Sequence, residues 1–305
     1  MDILTIAGLG KSFGNQRVLA DLSFSVPEGS IYGFIGKNGS GKTTTMKIIL
    51  GLLQADVGEI SVCGEKVHYG DTRTNRFIGY LPDVPEFYSF MTAKEYLRLC
   101  GEITGMPAAL IRTKSEELLD LVGLADVKKR IGTFSRGMKQ RLGIAQALLN
   151  EPRLLICDEP TSALDPIGRR EILDILLKVK ERTTVLFSTH VLTDVEAVCD
   201  RVGILDGGKI VRTGSIAELK KAHSRHSCAV TFRTPMDAAV FQGDPRVSAL
   251  KNAVLADDAT VTIPTDDPET TMTLIMRILV ETGLVPLRLE TAEPKLEDIF
   301  LEVVR

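Results

Sequence analysis

Gly36-Lys37-Asn38-Gly39-Ser40-Gly41-Lys42-Thr43 is the stretch that most narrows what this chain can fold into. It fits G-x-x-x-x-G-K-[ST], and its flanks fit as well. An apolar strand pattern, Ser30–Ile35, runs into it, and a helical pattern over Thr43–Leu53 follows. Glycines let backbone N–H groups turn inward around phosphate oxygens, and the helix start adds a favourable partial charge. Lys42 is placed to reach the β and γ phosphates, and the Thr43 hydroxyl to ligate Mg²⁺. The competing interpretation is a mere glycine-rich turn. A loop of this kind binds a nucleoside triphosphate, without saying which one or for what. The N-K-x-D stretch of guanine-specific enzymes is absent.

A second apolar strand, Leu154–Cys157, ends in two acids, Asp158 and Glu159. In a parallel sheet the carboxyl end of a strand is where ligands bind. Asp158 is placed to hold Mg²⁺, directly or through water, and Glu159 to polarise the attacking water as a general base, worth about 10²–10⁴-fold in rate. The alternative is a pair of strand-end acids capping the next helix. A third apolar strand, Thr184–Ser188, is separated from the second by a helix over Ile167–Lys180. Strands alternating with helices predict parallel strands covered on both faces.

Between about Pro82 and Asn150 helix signals dominate, over Ala93–Cys100, Ser115–Leu121 and Ser135–Asn150. Met138, Leu142, Ala145 and Leu149 share one face of the last. Leu22, Phe24 and Val26 alternate with polar residues, as in a strand with one wet face. Val202–Leu205 and Lys209–Thr213 flank Asp206-Gly207-Gly208, a hairpin signal, and a short helix over Ser215–Lys221 follows. Beyond His223 the pattern is of a small α+β unit. Its predicted strands lie near Cys228–Arg233, Ala253–Ala256, Thr260–Pro264 and Val285–Glu290, with helices over Pro268–Thr282 and Lys295–Val304. Val230, Phe232, Val261, Ile275, Ile278, Leu279 and Phe300 are its expected core.

Charge supports a boundary near residue 222. The chain has 37 basic and 40 acidic residues, but residues 223–305 carry eight basic and thirteen acidic side chains. The overall −3 argues against a general nucleic-acid binder. No apolar run approaches the ~18 residues of a membrane span. Met1-Asp2-Ile3-Leu4 lacks the basic-then-apolar order of a signal peptide, so a soluble chain kept inside the cell is expected. Five widely spaced cysteines without a C-x-x-C pair predict reduced thiols. His223, His226 and Cys228 suggest a metal site less well than a polar linker, since tetrahedral zinc needs a fourth ligand nearby.

Three further stretches identify a family. Asp158-Glu159-Pro160-Thr161-Ser162-Ala163-Leu164-Asp165-Pro166 resembles the joined Walker B and D-loop of ABC-type ATPases. Phe134-Ser135-Arg136-Gly137-Met138-Lys139-Gln140-Arg141 resembles their signature motif, with Arg and Met in place of Gly and Gln, and Ser188-Thr189-His190 the strand-end histidine of the switch region. With the phosphate loop, the motifs stand in the family's order over residues 1–222. Physically, Ser135 is a helix N-cap and Gly137 leaves N–H groups open to an anion, though a capped surface helix would look the same. A histidine like His190 is, by itself, most often a packed or capping residue, and a Phe like Phe13 most often core.

The resemblance implies an α/β P-loop NTPase core with an antiparallel β subdomain and a helical signature subdomain (residues 1–222), followed by a small α+β accessory domain (223–305). It places Phe13, Gly36, Lys37, Asn38, Gly39, Ser40, Gly41, Lys42, Thr43, Ser135, Arg136, Gly137, Met138 and Asp165 against ATP, with Phe13 stacked on adenine. It implies that Thr43, Asp158 and Asp83 hold Mg²⁺, and that Lys42, Glu159 and His190 act in catalysis, His190 through the γ-phosphate and the water. Each ATP would lie between one subunit's phosphate loop and the signature of a second copy or a homologous subunit. One departure stands out. The strand resembling Phe77–Leu81 leads to Asp83 where the family usually has Gln; Asp can ligate a hard cation but is shorter and charged. The implied function is that of the cytosolic ATPase subunit on the inner face of the cell membrane, serving a separate polytopic membrane partner, of bacterial exporter type with an acidic C-terminal extension. Leu296–Leu301 resembles the closing helix of that extension. A soluble ABC-type ATPase acting on ribosomes or DNA would carry two cassettes, coiled coils or zinc modules, and a P-loop metabolic kinase would lack the signature and D-loop.

Overall fold

Every residue of Ile31–Gly36 is buried, and the strand it forms is the axis of the first part of the chain. The computed structural model describes residues 2–222, 226–250, 254–257, 259–292 and 296–304. In chain order the first elements are β1 (Asp2–Phe13), β2 (Gln16–Pro27), β3 (Ile31–Gly36), α1 (Lys42–Ile49), β4 (Val57–Val62), β5 (Glu65–Lys66) and β6 (Ile78–Leu81). Three helices, α2 (Ala93–Ile103), α3 (Ala108–Leu121) and α4 (Arg136–Leu148), are inserted before β7 (Leu154–Asp158). Then come α5 (Pro166–Val179), β8 (Thr184–Thr189), α6 (Leu192–Val198), β9 (Arg201–Asp206), β10 (Lys209–Ser215) and α7 (Ile216–Ala222).

Six strands form one sheet in the order β10-β9-β3-β8-β7-β6. Its pairs are parallel apart from the edge hairpin β9–β10. β3, β7 and β8 are buried on both faces, which explains why they read as continuous apolar runs rather than alternating ones. The edge hairpin turns at Gly207 and Gly208, both at positive φ (+53° and +76°), the conformation that a tight two-residue hairpin demands.

A second sheet, β2-β1-β4-β5, is antiparallel. It packs with α1 and the six-stranded sheet into one core that includes Leu4, Leu22, Phe24, Tyr32, Phe34, Met46, Ile49, Ile60, Ile156 and Leu186. Phe24 stacks on Tyr32 and Phe34 at centroid distances of 5.5 and 5.1 Å, joining β2 to β3. The helix predicted over Thr43–Leu53 is shorter: α1 is capped by Leu50, and Gly51 at φ +68° turns the chain away. The pattern over Ser115–Leu121 proves to be the second half of α3. Thr92 caps α2 with a full capping box to Glu95.

Residues up to Ile216 form one compact unit and Ala217–Val303 a second. The second contains an antiparallel sheet, β12-β13-β11-β14, made of β11 (His226–Thr231), β12 (Val254–Asp257), β13 (Thr260–Thr265) and β14 (Arg288–Ala292). Its helices are α8 (Pro235–Gln242), α9 (Pro245–Ala249), α10 (Pro268–Thr282) and α11 (Leu296–Val303). Val230, Phe232, Val261, Ile275, Ile278 and Leu279 are buried in its core, joined by Phe241. Phe300, expected in that core, is only half-buried; on α11 the neighbouring Ile299 is the side chain that turns inward. β14 starts three residues later than predicted, after Pro286, which has no N–H for a ladder. Ala253 and Lys295, predicted ends of elements, lie outside the described residues.

Candidate active site

Parallel register delivers the candidate side chains to one place. Ile35 pairs with Thr189, and Asp158 with Ser188, so β3, β7 and β8 finish at one level. Their carboxyl ends release the phosphate loop, the Asp158-Glu159 pair and His190 side by side.

The loop enters α1 through Gly41, whose φ of +109° and whose Cβ position, 2.7 Å from Leu19 Cδ2, admit only glycine. Gly41 offers no side-chain cap, so the first N–H groups of α1 are left for an anion. Ser40 Oγ is buried without a hydrogen-bond partner, an orphaned donor that a phosphate oxygen would satisfy. Lys42 is 5% exposed, and its Nζ donates to the carbonyl oxygens of Gly36 (2.7 Å) and Lys37 (3.3 Å). It also lies 3.2 Å from Glu159 Oε1.

Thr43 Oγ1 and Ser188 Oγ donate to the two oxygens of Asp158, at 2.8 and 2.7 Å. Asp158 is almost wholly buried, and these bonds fix its rotamer. Glu159 stands in the left-handed region at φ +48° and is held between two groups, Lys42 on Oε1 and His190 Nδ1 on Oε2 at 2.8 Å. A carboxylate held between an ammonium and an imidazole is fixed in orientation, as a general base toward water has to be.

Asp83 follows β6. Its carboxylate meets Arg136 Nη2 at 3.3 Å, and its backbone carbonyl accepts from Gln140 Nε2 at 2.6 Å. Burial raises the Asp83 pKa; Arg136 opposes this, and the charges of Asp158 and Glu159 add to it. Asp83, Lys42, Thr43, Glu159 and His190 line one cavity of 470 Å³ together with Asn38, Gly39, Gly41, Val18, Thr44 and Ser162. Gly36, Lys37, Ser40 and Asp158, and likewise Phe13, Ser135, Arg136, Gly137, Met138 and Asp165, are not among its walls. Phe13 is half exposed, with Lys11 Nζ 5.5 Å from its ring centre. Ser135 caps α4 by accepting from Met138 N at 3.2 Å, and Asp165 caps α5 by accepting from Gly168 N at 3.0 Å. A neighbouring cavity of 480 Å³ is bordered by Asp83, Phe87, Ile131, Arg136, Lys139 and Gln140.

The donors fit Mg²⁺. Thr43 and Asp158 bring hydroxyl and carboxylate oxygens together, the hard donors this ion prefers. Among the described residues no three His, Cys, Asp or Glu side chains form a metal cage. His223 lies outside the described residues, and Cys228 is fully buried in the second unit's core. All five cysteines are unpaired.

Two features escape sequence reasoning. Ser188 orients Asp158, although only its neighbour His190 was singled out chemically. Buried Asp194 accepts from Thr161 Oγ1 at 2.8 Å and from Arg169 Nε at 2.6 Å, a contact that no local spacing announces.

Comparison with known proteins adds an independent line. The family described as ABC transporter matches residues 19–162, and the ATP-binding protein DrrA1-3-like C-terminal domain matches residues 214–304. The chain is 40% identical over 303 residues to the uncharacterized ABC transporter ATP-binding protein YxlF of Bacillus subtilis (strain 168), covering 99% of each. It is 35% identical over 306 residues to the bacitracin transport ATP-binding protein BcrA of Bacillus licheniformis, covering 99% of this chain and 97% of that one. Among solved structures, the ATP-binding subunit of an ABC transporter superposes with a TM-score of 0.65 at 33% identity, over 72% of this chain and 93% of the other.

Proposed function

The chain belongs to the ATP-binding subunits of ABC transporters, and from that premise we propose that it is the ATP-hydrolysing subunit of an exporter whose pathway is a separate polytopic membrane protein. One observation carries the mechanistic part: Lys42, Thr43, Glu159 and His190 converge on one cavity, beside the Asp158 carboxylate. The phosphate loop and Lys42 bind the phosphates of ATP. Glu159 accepts the proton of the attacking water as its oxygen bonds to the γ-phosphorus and the bond to the ADP oxygen breaks. His190 keeps Glu159 aimed through Oε2. Thr43 and Asp158, with Asp83 on the same cavity, would hold Mg²⁺, which would supply charge neutralisation at the phosphates.

Ser135, Gly137 and Met138 are not among the walls of the cavity around Lys42, and the resemblance of their stretch to the signature motif supports their use by the phosphates of a second copy. In that arrangement two chains enclose each nucleotide, the helix start at Ser135 facing the γ-phosphate. Phe13 is exposed enough to stack on adenine. Asp165 belongs to the same interface.

No helix among the described residues is long and apolar enough to cross a membrane, which supports a membrane partner in a different chain. The cavity beside Asp83 offers that partner a place to engage close to the catalytic acids. The working location is the cytoplasmic face of the cell membrane. The likeness to a bacitracin transport ATP-binding protein over the whole chain supports export of an antibiotic. Residues 1–222 form the ATP-binding domain in this proposal, and residues 223–305 an accessory domain that tunes dimerisation or coupling.

A tagged chain purified from gently solubilised membranes tests the assignment. It should bring down a multi-span protein, and its ATPase activity per chain should rise with protein concentration. Ser135→Arg should abolish that activity while single chains still bind ATP. Concentration-independent hydrolysis with no membrane subunit recovered contradicts the proposal.

A further inference from the structure

We infer that Asp194 is a positioning residue for ATP hydrolysis: a buried carboxylate that ties the loop carrying Glu159 to the helix following His190. The inference rests on the reading of Glu159 and His190 as the acting pair. Asp194 lies four residues beyond His190, on α6, and is 3% exposed. It accepts from the hydroxyl of Thr161, two residues beyond Glu159, and from Arg169 on α5. One carboxylate therefore stands behind both members of the 2.8 Å Glu159–His190 contact.

The loop has reason to need the tie. Residues 159–165 make two successive turns, Ser162 N to Glu159 O at 3.0 Å and Leu164 N to Thr161 O at 3.4 Å. Glu159 and Ala163 are both left-handed, at φ +48° and +52°, a conformation costly for residues with a Cβ and kept where the surroundings impose it. Inside this strained stretch the Thr161 hydroxyl is bonded to the buried Asp194 carboxylate, as the Glu159 carboxylate is paired with the buried Lys42 ammonium. Stability alone does not explain Asp194, because a buried ion pair is often matched or bettered by well-packed apolar residues. What an apolar residue cannot do is hold Thr161 by a directional bond.

Thr161→Val tests this mildly, removing one donor while leaving the Asp194–Arg169 pair intact; Asp194→Asn removes the charge, and Thr161→Ser restores the hydroxyl. Mg-ATP affinity, kcat and backbone amide exchange are measured on the full chain, with Glu159→Gln in parallel. Thr161→Val should lower kcat about 10- to 100-fold, the usual effect of misplacing a catalytic group by an ångström. Its ATP affinity should stay within about twofold, and exchange should quicken over residues 159–165 but not over the rest of the unit. Thr161→Ser should recover most of the rate, and Asp194→Asn should act in the same direction as Thr161→Val. Wild-type kcat in Thr161→Val, or a loss matched by weaker ATP binding and faster exchange throughout the unit, overturns the inference. If Glu159→Gln is inactive while Thr161→Val is normal, only the positioning role of Asp194 fails. If Glu159→Gln hydrolyses ATP normally, the Glu159 reading fails and takes the inference with it.

Discussion

Lys42 is the residue whose loss should be felt first. Its buried ammonium is satisfied by two carbonyls and by Glu159, so Lys42→Ala removes the charge facing the phosphates and leaves Glu159 Oε1 without its ionic partner. Charge-assisted bonds of this kind support a fall in ATP affinity of about 10- to 100-fold, with hydrolysis lost. Calorimetry returning an unchanged affinity contradicts the assignment. Arg136 makes the opposite case. Its pair with Asp83 has side chains 42% and 47% exposed, so Arg136→Ala should cost less than about 1 kcal/mol in chemical denaturation. A loss several times larger would show that the pair is shielded from water in a way these exposures exclude. Lys42, Thr43, Asp158 and Glu159 were legible in the sequence because each sits in a short motif whose chemistry depends on neighbours in the chain. Ser188 on Asp158 and Asp194 on Thr161 were not, since these contacts span 30 and 33 residues and depend on strand register and helix docking.

At the scale of elements, the buried parallel strands and the helix after the phosphate loop could be read because burial on both faces and phosphate chemistry each leave a plain pattern. β1 could not: its pairing with β2 shifts register between Ile6 and Leu9 and again between Lys11 and Ser12, and each bulge breaks the alternation that marks a strand. α8 and α9 were missed for a different reason. Each has a polar cap followed by Pro, Thr234-Pro235 and Asp244-Pro245, but they are eight and five residues long, too short for a helical period to show. The cap of α9 yields a pH prediction. Hydrogen bonds from the Arg246 guanidinium, and then from its backbone N–H, hold the Asp244 pKa down at about 2. A carboxylate whose folded pKa lies below its unfolded value near 4 stabilises fully above that value, and the contribution fades as pH falls toward about 2. Asp244→Asn should therefore lower the thermal midpoint of the C-terminal unit at pH 7. The gap from wild type should close between about pH 4 and pH 2, and a gap of equal size at both ends of that range is the contrary result.

For the whole molecule, the two compact units divide near Ile216, so cutting after Lys221 keeps all of the first up to that residue, with every candidate catalytic side chain. The shortened chain should be folded by circular dichroism and bind Mg-ATP within about twofold of the full chain. Its self-association or its coupling to a membrane partner should change. A folded fragment that cannot bind ATP contradicts the division of labour proposed for residues 1–222 and 223–305. The sequence points to a second copy only through the signature motif, whose Ser135 and Gly137 are not among the walls around Lys42. Glu159→Gln brings the two halves of that account into one experiment, because it removes the base while sparing the phosphate loop, Thr43 and Asp158. Light scattering of this variant with and without Mg-ATP should show a stable dimer only with nucleotide, holding two ATP molecules and turning over almost none. A variant that stays monomeric with saturating Mg-ATP, or hydrolyses it at the wild-type rate, contradicts the account.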